Sequence, residues 1–517
     1  MKLAKKYDFI IIGSGFGGAM SAYKLMSKGY SVLIIEKGKR PLRDDSCWDE
    51  VRLHLKDPMY RSSTPFYVDQ KNGKIETMWS DDTVGGMSTL YGAVSFRMRE
   101  DDFNGPPLAE KNERDLSCAW PYSYKDIAPY YSEAEKLLGI AGEKGSDITE
   151  PPIKGKFPQR ANAVFSRPSK KLWKSAQDLG LHPFLLPMAI NFDGKHGKGQ
   201  CIRCSTCDHY LCKIEAKNDL SVAILPHLES KGVTLLSQSR ALKINTVKNR
   251  AISVDIADES TGEIYTIKAD NIICSGGALY SPYILLCSKI DEITGNKNIG
   301  HYLMRHINGV VAGVFPSVAN PDKILQKQIG IPDFYFGDPE GKRKPYGPWG
   351  MIQDVSSIGK GVIKANSPAG LKNIAAFLSD YLINLLCIAE DTPNYNNRVF
   401  INNSAKDNFG MPTLHVYHRY SKRDIMARNA LYKEAKRILR NAGALLFYSM
   451  PIETFSHALG TCRMGLNPET SVVDENCKVH GMKNLYVIDG SAMPSGGSVN
   501  PSLTIAALAL KAADSIS

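Results

Sequence analysis

Residues 7–36 carry the sequence YDFIIIGSGFGGAMSAYKLMSKGYSVLIIE. Two short apolar runs flank a segment with helical periodicity, which predicts a buried β-strand, an α-helix and a second β-strand. The loop after the first strand fits the pattern G-x-G-x-x-G at Gly13, Gly15 and Gly18. Glycines at these positions permit a tight turn and let the backbone approach a pyrophosphate, whose charge would face the helix N-terminus. The stretch therefore predicts a dinucleotide-binding site.

Glu36 ends the second predicted strand. In this arrangement an acidic side chain accepts hydrogen bonds from a ribose, and a glutamate in place of an arginine argues against a 2′-phosphate. The glycine spacing alone is a weak signal, and a glycine-rich turn without a ligand is the alternative. The strand, loop and helix around it favour a ligand site, with NAD or FAD as the nucleotide.

Residues 484–510, NLYVIDGSAMPSGGSVNPSLTIAALAL, favour FAD. Asp489 and Gly490 end a predicted strand, and Pro501 stands at a natural first position of a helix. The positive end of that helix would face whatever Asn500 borders. Such a field suits the negative charge that develops on a reduced flavin.

Several motifs, in this order along the chain, resemble those of the glucose–methanol–choline (GMC) oxidoreductases, and within that family the pyranose oxidases. They are GSGFGG at 13–18, VGGMSTLYG at 84–92, WPYSYKDIAPYY at 120–131, GGALYSPYILL at 276–286, HALGTCRMG at 457–465, and NLYVIDGSAMP with NPSLTI in the last stretch. The resemblance implies an α/β fold, with a Rossmann-like FAD-binding domain interleaved with an α+β substrate domain built on an antiparallel sheet. We expect the discontinuous FAD-binding domain at 1–145, 200–300 and 451–517, and the substrate-binding domain with its loops at 146–199 and 301–450.

The resemblance also places the catalytic pair. His457 matches the family's catalytic histidine, and Asn500 matches a position that holds either His or Asn. Oxidation of an alcohol needs a base for the O–H proton, and a histidine is partly neutral near pH 7. It also needs an acceptor for the C–H hydride, which the flavin N5 supplies. The alternatives are a structural core histidine at 457 and a helix cap at 500.

Further cofactor contacts are implied by the resemblance alone. Ala241 would approach the adenine, Ser88 and Thr89 would lie near the flavin or its pyrophosphate, and Thr504 would face the pyrimidine end of the flavin. Each of these residues has local capping or packing as its alternative. Related pyranose oxidases that bind flavin covalently carry a histidine where this chain has Leu90, so we expect non-covalent FAD.

Four cysteines follow a glycine- and lysine-rich loop with the spacing C-x2-C-x2-C-x4-C: Cys201, Cys204, Cys207 and Cys212. Four thiols in twelve residues are able to hold an iron–sulfur cluster or zinc. The spacing differs from that of ferredoxins and of iron–sulfur GMC dehydrogenases. Reduced thiols in a compact loop, or one or two disulfides, are the alternative, so no metal ligand is assigned.

The composition sets limits on partners and compartment. The chain has 517 residues and a formal charge of +11, but no run of five or more Lys or Arg, which excludes a basic arm for nucleic acid. The apolar stretch 374–388 contains Asp380 and Asn384 and falls short of a membrane span. Scattered cysteines and no secretion signal indicate a cytoplasmic protein.

We therefore expect FAD-dependent oxidation of an alcohol, with a sugar, glycoside or polyol hydroxyl as the leading substrate class. The electron acceptor would be oxygen, a quinone or a carrier protein. The aromatic, turn-rich segment 331–350 suits either sugar stacking or a surface loop. Alternatives are a dehydrogenase for an amino sugar or other alcohol in secondary metabolism, and a non-redox GMC lyase.

Overall fold

The computed structural model describes residues 4–55, 58–70, 73–106, 118–337, 349–357 and 359–516. Its strands are β1 (Lys6–Ile12), β2 (Val32–Ile35), β3 (Phe66–Asp69), β4 (Ile75–Met78), β5 (Ala141–Gly142), β6 (Gln159–Arg160), β7 (Phe184–Leu185), β8 (Thr234–Leu236), β9 (Ser239–Val247), β10 (Arg250–Asp258), β11 (Ile264–Cys274), β12 (Gly309–Val314), β13 (Ile329–Ile331), β14 (Met351–Val355), β15 (Leu382–Ile388), β16 (Arg398–Lys406), β17 (Pro412–Tyr417), β18 (Leu446–Pro451) and β19 (Leu485–Val487). Its α-helices are α1 (Phe16–Ser27), α2 (Glu50–His54), α3 (Tyr124–Leu137), α4 (Arg167–Asp178), α5 (Leu220–Ala223), α6 (Leu225–Ser230), α7 (Gly277–Cys287), α8 (Ile290–Thr294), α9 (Lys360–Asn366), α10 (Lys372–Leu378), α11 (Lys422–Asn441) and α12 (Ser502–Ser515).

The largest sheet of the described residues has seven strands, in the order β8-β2-β1-β11-β10-β9, with β19 also paired to β11. The strands from β8 to β11 and the β11–β19 pair are parallel, while β10 and β9 continue the sheet in antiparallel fashion. Parallel strands are covered on both faces, which is why β1 and β2 are almost continuously apolar. The side chains of Phe9, Ile10 and Ile11 are accordingly buried. The predicted βαβ opening is confirmed, with α1 beginning at Phe16.

The second sheet is antiparallel throughout, in the order β18-β12-β15-β14-β13-β7. One of its faces packs on α11: a Cβ added at Gly309 would collide with the Tyr432 ring, and one at Gly313 would meet the side chain of Leu439. Since side chains alternate between the faces of a strand, Asn308 and Val310 point to the opposite face. The antiparallel sheet expected for the substrate domain is therefore present.

Strands of the first sheet come from three separated parts of the chain, 6–35, 234–274 and 485–487, and strands of the second from 184–185, 309–388 and 446–451. A mixed sheet, β16-β17-β3-β4, adds further strands beside them. The domain boundaries given above stay a prediction. Within the described ranges, no helix combines the length and the apolar content needed to cross a bilayer.

Candidate active site

The glycine loop between β1 and α1 is closely packed at Gly13 and Gly18 and open at Gly15. Gly13 has a φ of +102°, and a Cβ there would lie 2.4 Å from the carbonyl oxygen of Ser275. A Cβ at Gly18 would lie 1.9 Å from the carbonyl oxygen of Gly13, so the helix packs directly on its own loop. At Gly15, by contrast, a Cβ would meet nothing within 4 Å. The loop therefore leaves open space at Gly15, at the N-terminus of α1, where a phosphate would be stabilised.

Glu36 ties this loop to its surroundings. Its carboxylate accepts hydrogen bonds from the Ser14 amide (2.9 Å), the Ser14 hydroxyl (2.6 Å) and the Gly38 amide (2.8 Å). Burial raises the pKa of Glu36, and these hydrogen bonds oppose that shift. The backbone oxygen of Glu36 accepts from Ser239, two residues before Ala241 in β9. The structure thus brings Glu36 and Ala241 close to the glycine loop, while their contacts with a nucleotide stay predictions.

The 85–89 segment lies against the same loop. The Gly85 amide donates to the Ser14 hydroxyl over 2.8 Å, and a Cβ on Gly86 would lie 3.0 Å from the Cα of Gly15. The hydroxyl of Ser88 donates to the Gly85 carbonyl, so its hydrogen is used inside the protein.

The hydroxyls of two further predicted cofactor residues also have protein partners. Thr89 is hydrogen-bonded to the Thr83 hydroxyl, with 2.8 Å between the oxygens. Thr504 in α12 is bonded to the Tyr131 hydroxyl at 2.7 Å. The local alternative is therefore present at both residues, and their roles toward FAD stay predictions.

Asp489 joins the end of β19 to the start of α7. Its carboxylate accepts from the Gly277 amide (2.8 Å), the Ser281 hydroxyl (2.5 Å) and the Ser491 amide (2.7 Å). A Cβ on Gly490 would lie 2.9 Å from the Leu459 side chain, so the turn after β19 packs against the segment that carries the candidate base. This contact connects the region of the glycine loop to the segment that carries the candidate base.

His457 is held through one ring nitrogen. Its Nδ1 lies 3.0 Å from Nδ1 of His306 and 3.3 Å from the side-chain nitrogen of Asn308. Burial lowers the pKa of His457 well below its usual value, and positive charge at His306 and Lys327 lowers it further. The imidazole is therefore neutral at pH 7, which is the form that accepts a proton.

Asn500 does not cap α12. That helix has Pro501 as its N-cap residue and no side-chain cap, so Pro501 precedes the first helical residue, Ser502, instead of occupying the expected first position. The Asn500 side-chain oxygen accepts a hydrogen bond from the Gln353 amide nitrogen over 2.9 Å. The capping alternative for Asn500 is therefore wrong in this structure.

One face of the second sheet carries the partners of both candidate catalytic residues. Asn308 lies opposite Ile388 by register, and Gln353 pairs with Leu386. Ile388 and Leu386 are two residues apart in β15, so Asn308 and Gln353 point to the same face. Strand spacing places their Cα atoms roughly 12 Å apart. His457 and Asn500 are thus both attached to this face, although they lie far apart in sequence.

A buried ion pair borders the site. The Lys327 ammonium contacts both oxygens of the Asp208 carboxylate at 2.9 Å, and a Cβ on Gly92 would clash with both partners. Lys327 has a φ of +150°, a backbone region that favours glycine. Leu90, two residues before Gly92, is buried in a small apolar cluster. Of the segment 331–350, residues 338–348 lie outside the described residues.

The cysteine segment packs beside the same stretch, since the His209 amide donates to the Leu90 carbonyl. The four cysteines line one small cavity as free thiols. Backbone amides of Arg203 and Ala216 donate to the sulfurs of Cys201 and Cys212. Across the described ranges, no group of three or more His, Cys, Asp or Glu side chains is arranged to hold a metal ion. Iron or zinc binding here has no supporting geometry, and no metal ligand is assigned.

His306, Asn308 and Gln353 were not predicted from the sequence. Asn308 precedes an apolar strand, and Gln353 interrupts one, since β14 is MIQDV and its first four residues are buried. A polar side chain inside a buried strand needs a hydrogen-bond partner. The polar residues in or next to these apolar strands were therefore the sequence signal that could have indicated Asn308 and Gln353.

Comparison with known proteins identifies the family. Two family models described as GMC oxidoreductase match residues 7–308 and 393–509. The chain belongs to the GMC oxidoreductase family. Similar GMC proteins include 6′′′-hydroxyparomomycin C oxidase of Streptomyces lividus (28% identical, covering 99% of this chain and 91% of that protein) and paromamine 6′-oxidase of Streptomyces fradiae (29%, with 99% and 91% covered). Another is 2-methyl-1,2-propanediol dehydrogenase of Mycolicibacterium austroafricanum (28%, with 99% and 96% covered).

The fold is shared with solved GMC structures. Pyridoxine 4-oxidase from Mesorbium loti superposes with a TM-score of 0.66 at 18% identity, covering 98% of each chain. Membership makes this chain an FAD-dependent oxidoreductase that acts on CH–OH groups, as expected from its motifs. The open space at Gly15, beside Glu36 and the 85–89 segment, fits the dinucleotide that the family implies.

Proposed function

We propose that this chain oxidises a hydroxyl group of a sugar, glycoside or polyol, with His457 as the base that takes the hydroxyl proton. The observation that carries this proposal is the one-sided anchoring of His457. Its hydrogen bonds with described residues involve Nδ1, which leaves Nε2 for a substrate hydroxyl. A neutral imidazole with one nitrogen fixed and the other available has the arrangement that a general base requires.

The chemistry divides between the protein and its cofactor. The substrate O–H proton moves to Nε2 of His457. When FAD is bound, it supplies the acceptor for the hydride that leaves the carbon bearing that hydroxyl. Asn500 has an amide that is able to hydrogen-bond the substrate oxygen, and Gln353 fixes that amide. The product is a ketone or an aldehyde. Asn500 has no basic nitrogen, so it orients the substrate and does not take the proton.

The names of relatives suggest where to look for the substrate. Two relatives similar over nearly the whole chain are named as oxidases of paromamine and of a hydroxyparomomycin, which are amino sugar compounds. We therefore place aminoglycoside hydroxyls first among the candidates, followed by neutral sugars and small diols. A non-redox lyase is the remaining alternative within the family.

FAD would be bound without a covalent link, because Leu90 is aliphatic and buried in its apolar cluster. The electron acceptor, whether oxygen, a quinone or a carrier protein, and a cytoplasmic location are further parts of the proposal. Peroxide production measured against dye reduction separates oxygen from the other acceptors.

The test is an anaerobic screen of aminoglycosides, sugars and diols that monitors loss of the flavin absorbance. His457→Ala should keep FAD and lose about 10²–10⁴-fold in turnover, as for other lost general bases. His227→Ala is the matched control, because that histidine is exposed on α6. Turnover by His457→Ala equal to that of the control would remove His457 from the mechanism. If no alcohol ever bleaches the flavin, the redox proposal itself fails.

A further inference from the structure

A second histidine contacts the candidate base. The His306 ring is buried, its Nδ1 lies 3.0 Å from Nδ1 of His457, and the two ring planes are 87° apart. A hydrogen bond between two imidazole nitrogens uses one proton and one lone pair. Of the two Nδ1 atoms, one therefore carries hydrogen and the other does not.

The protein holds His306 in a strained backbone conformation. Its φ is +58°, in the left-handed region that few non-glycine residues adopt. The Asp391 carboxylate fixes this turn, accepting from the amides of Arg305 (3.0 Å) and His306 (2.9 Å). Tyr420 donates its hydroxyl hydrogen to the His306 carbonyl over 2.9 Å. Strain held in place by several contacts at a candidate site indicates a functional requirement for the ring position.

The remaining nitrogen of His306 faces the turn before Asn500. A Cβ on Gly496 would lie 2.9 Å from Nε2 of His306, so only glycine leaves room for the ring. Burial lowers the pKa of His306, while Asp391 and the backbone of Gly496 and Gly497 favour its protonated form. Nε2 of His306 is buried and has no hydrogen-bond partner among the described residues. Since Nε2 of His457 needs its lone pair to act as the base, the shared proton belongs to Nδ1 of His457, and the lone pair of a neutral His306 then lies on its own Nδ1.

We propose that His306 is a positioning residue that keeps the proton of His457 on Nδ1. In that tautomer Nε2 of His457 retains its lone pair for the substrate hydroxyl. When Nε2 takes the substrate proton, the Nδ1–H of His457 remains bonded to the lone pair of His306, and no second proton moves. The inference rests on the proposed role of His457 as base.

Asn308 is the competing acceptor. Its side-chain nitrogen is placed 3.3 Å from Nδ1 of His457, and its buried side-chain oxygen has no partner among the described residues. Oxygen and nitrogen of an amide are assigned from the hydrogen-bond network, so a rotated Asn308 would offer its oxygen to His457. The contact of His457 with His306 is shorter than its contact with Asn308. We therefore infer that His306, and not Asn308, determines the tautomer of His457.

Charged groups around the two rings are themselves paired. Lys327, which lowers the pKa of His457, is hydrogen-bonded to Asp208. Asp391, which raises the pKa of His306, lies 3.0 Å from Nε2 of His418. Glu390 lies on the other side of the Gly496–Gly497 turn, and both amides of that turn donate to it.

The test compares His306→Asn with His306→Leu in the holoenzyme. Asparagine tolerates a positive φ and places an acceptor oxygen near the position of Nδ1, whereas leucine has similar volume and no acceptor. His306→Leu should lose about 10–100-fold in kcat, comparable to the effect of removing a partner that orients a metal-ligating histidine. KM should change little. His306→Asn should recover most of the loss, and equal losses in both variants would assign His306 to packing and overturn the inference.

A second measurement needs no substitution at His306. In protein labelled with ¹⁵N-histidine, the ring shifts of His457, assigned by comparison with His457→Ala, report which nitrogen carries the proton. Protonated Nδ1 is expected, and protonated Nε2 would overturn the inference. An active His457→Ala enzyme would instead overturn the proposed function. An inactive His457→Ala beside a fully active His306→Leu would overturn only the role of His306.

Discussion

Burial shifts the pKa values of His457 and Glu390 in opposite directions, because it disfavours the charged form of each. For His457 the neutral form is the base, and burial followed by nearby positive charge lowers its pKa well below the usual value. We therefore expect kcat/KM to stay level from pH 8 down through pH 6.5 and to fall only as more acidic pH protonates the ring. A pH profile with a stable substrate measures this. An acid limb at or above pH 6.5 would show that His457 is charged more easily than its surroundings imply.

For Glu390 burial raises the pKa to about 8, from an ordinary value of 4.5, with Arg423 opposing the shift. In the unfolded chain the carboxyl ionises near its ordinary pKa, whereas in the folded protein it stays protonated up to the raised value. Its stabilising contribution is therefore complete in acid and is lost as pH rises from about 5 to about 8.

Glu390→Gln should remove that loss, because a glutamine oxygen can still accept from the amides of Gly496 and Gly497. Relative to the wild type, the variant should gain ~1–4 kcal/mol in free energy of unfolding between pH 5 and pH 8.5. Denaturant titrations at both pH values measure the difference. A gap between the two proteins that is the same at both pH values would mean that Glu390 is already ionised when folded.

Among single residues, sequence motifs indicated the candidate catalytic residues and missed the partners that hold them. His457 and Asn500 lie in recognisable stretches, HALGTCRMG and VNPSLTI. His306 and Gln353 lie in a part of the chain without a motif, and their importance comes from contacts with residues more than 140 positions away. Such contacts cannot be predicted from the spacing of residues along the sequence, because they depend on how the sheets assemble.

At the scale of elements, the glycine loop offers a matched pair of substitutions. A Cβ at Gly17 would lie 1.9 Å from the carbonyl oxygen of Ile488, a backbone atom that cannot move easily, whereas one at Gly15 meets open space. Gly17→Ala should therefore cost about 2–4 kcal/mol of stability. Gly15→Ala should change stability by no more than ~1 kcal/mol and weaken FAD binding at least ~10-fold, since its methyl group would occupy the expected phosphate position.

Fluorescence titration of each apoprotein with FAD, together with thermal unfolding, tests the pair. Gly15→Ala that binds FAD as well as the wild type would place the phosphate elsewhere. A Gly17→Ala protein as stable as the wild type would contradict the close packing between α1 and the end of β19.

Regular elements were predicted best where periodicity was strong. The two strands predicted within residues 7–36 correspond to β1 and β2 within a few residues. Ends were less accurate, as at Pro501, since a proline at the first helical turn and one at the cap leave the same sequence pattern. The apolar stretch 374–388 comprises the end of α10, where Ile374, Phe377 and Leu378 are exposed, and then the mostly buried strand β15.

At the scale of the whole molecule, the order of motifs predicted the class of fold but not the geometry of the site. The shared face of Asn308 and Gln353 depends on register between β12, β15 and β14, strands that are separated by long connections. The register between neighbouring strands depends on which side chains each strand must bury. In this sheet the apolar side chains that face α11 are buried with it in one cluster. The candidate site is therefore a consequence of packing α11 on one face, which leaves the other face for the segments that carry His457 and Asn500.

FAD should stabilise the whole chain, because its expected site is assembled from distant segments. The Gly85 amide reaches Ser14 from the 85–89 segment, and a Cβ at Gly17 would meet Ile488 near the C-terminus. A ligand that binds only the folded state adds RT ln(1 + [L]/Kd), about 2.7 kcal/mol at a concentration of 100 Kd. Removal of FAD by mild acid and salt should therefore lower the unfolding midpoint, and added FAD should restore it in a concentration-dependent manner, whereas adenosine alone should restore only part. Flavin that remains with the denatured protein would contradict non-covalent binding at Leu90. A midpoint indifferent to FAD would show that the folded chain does not bind FAD.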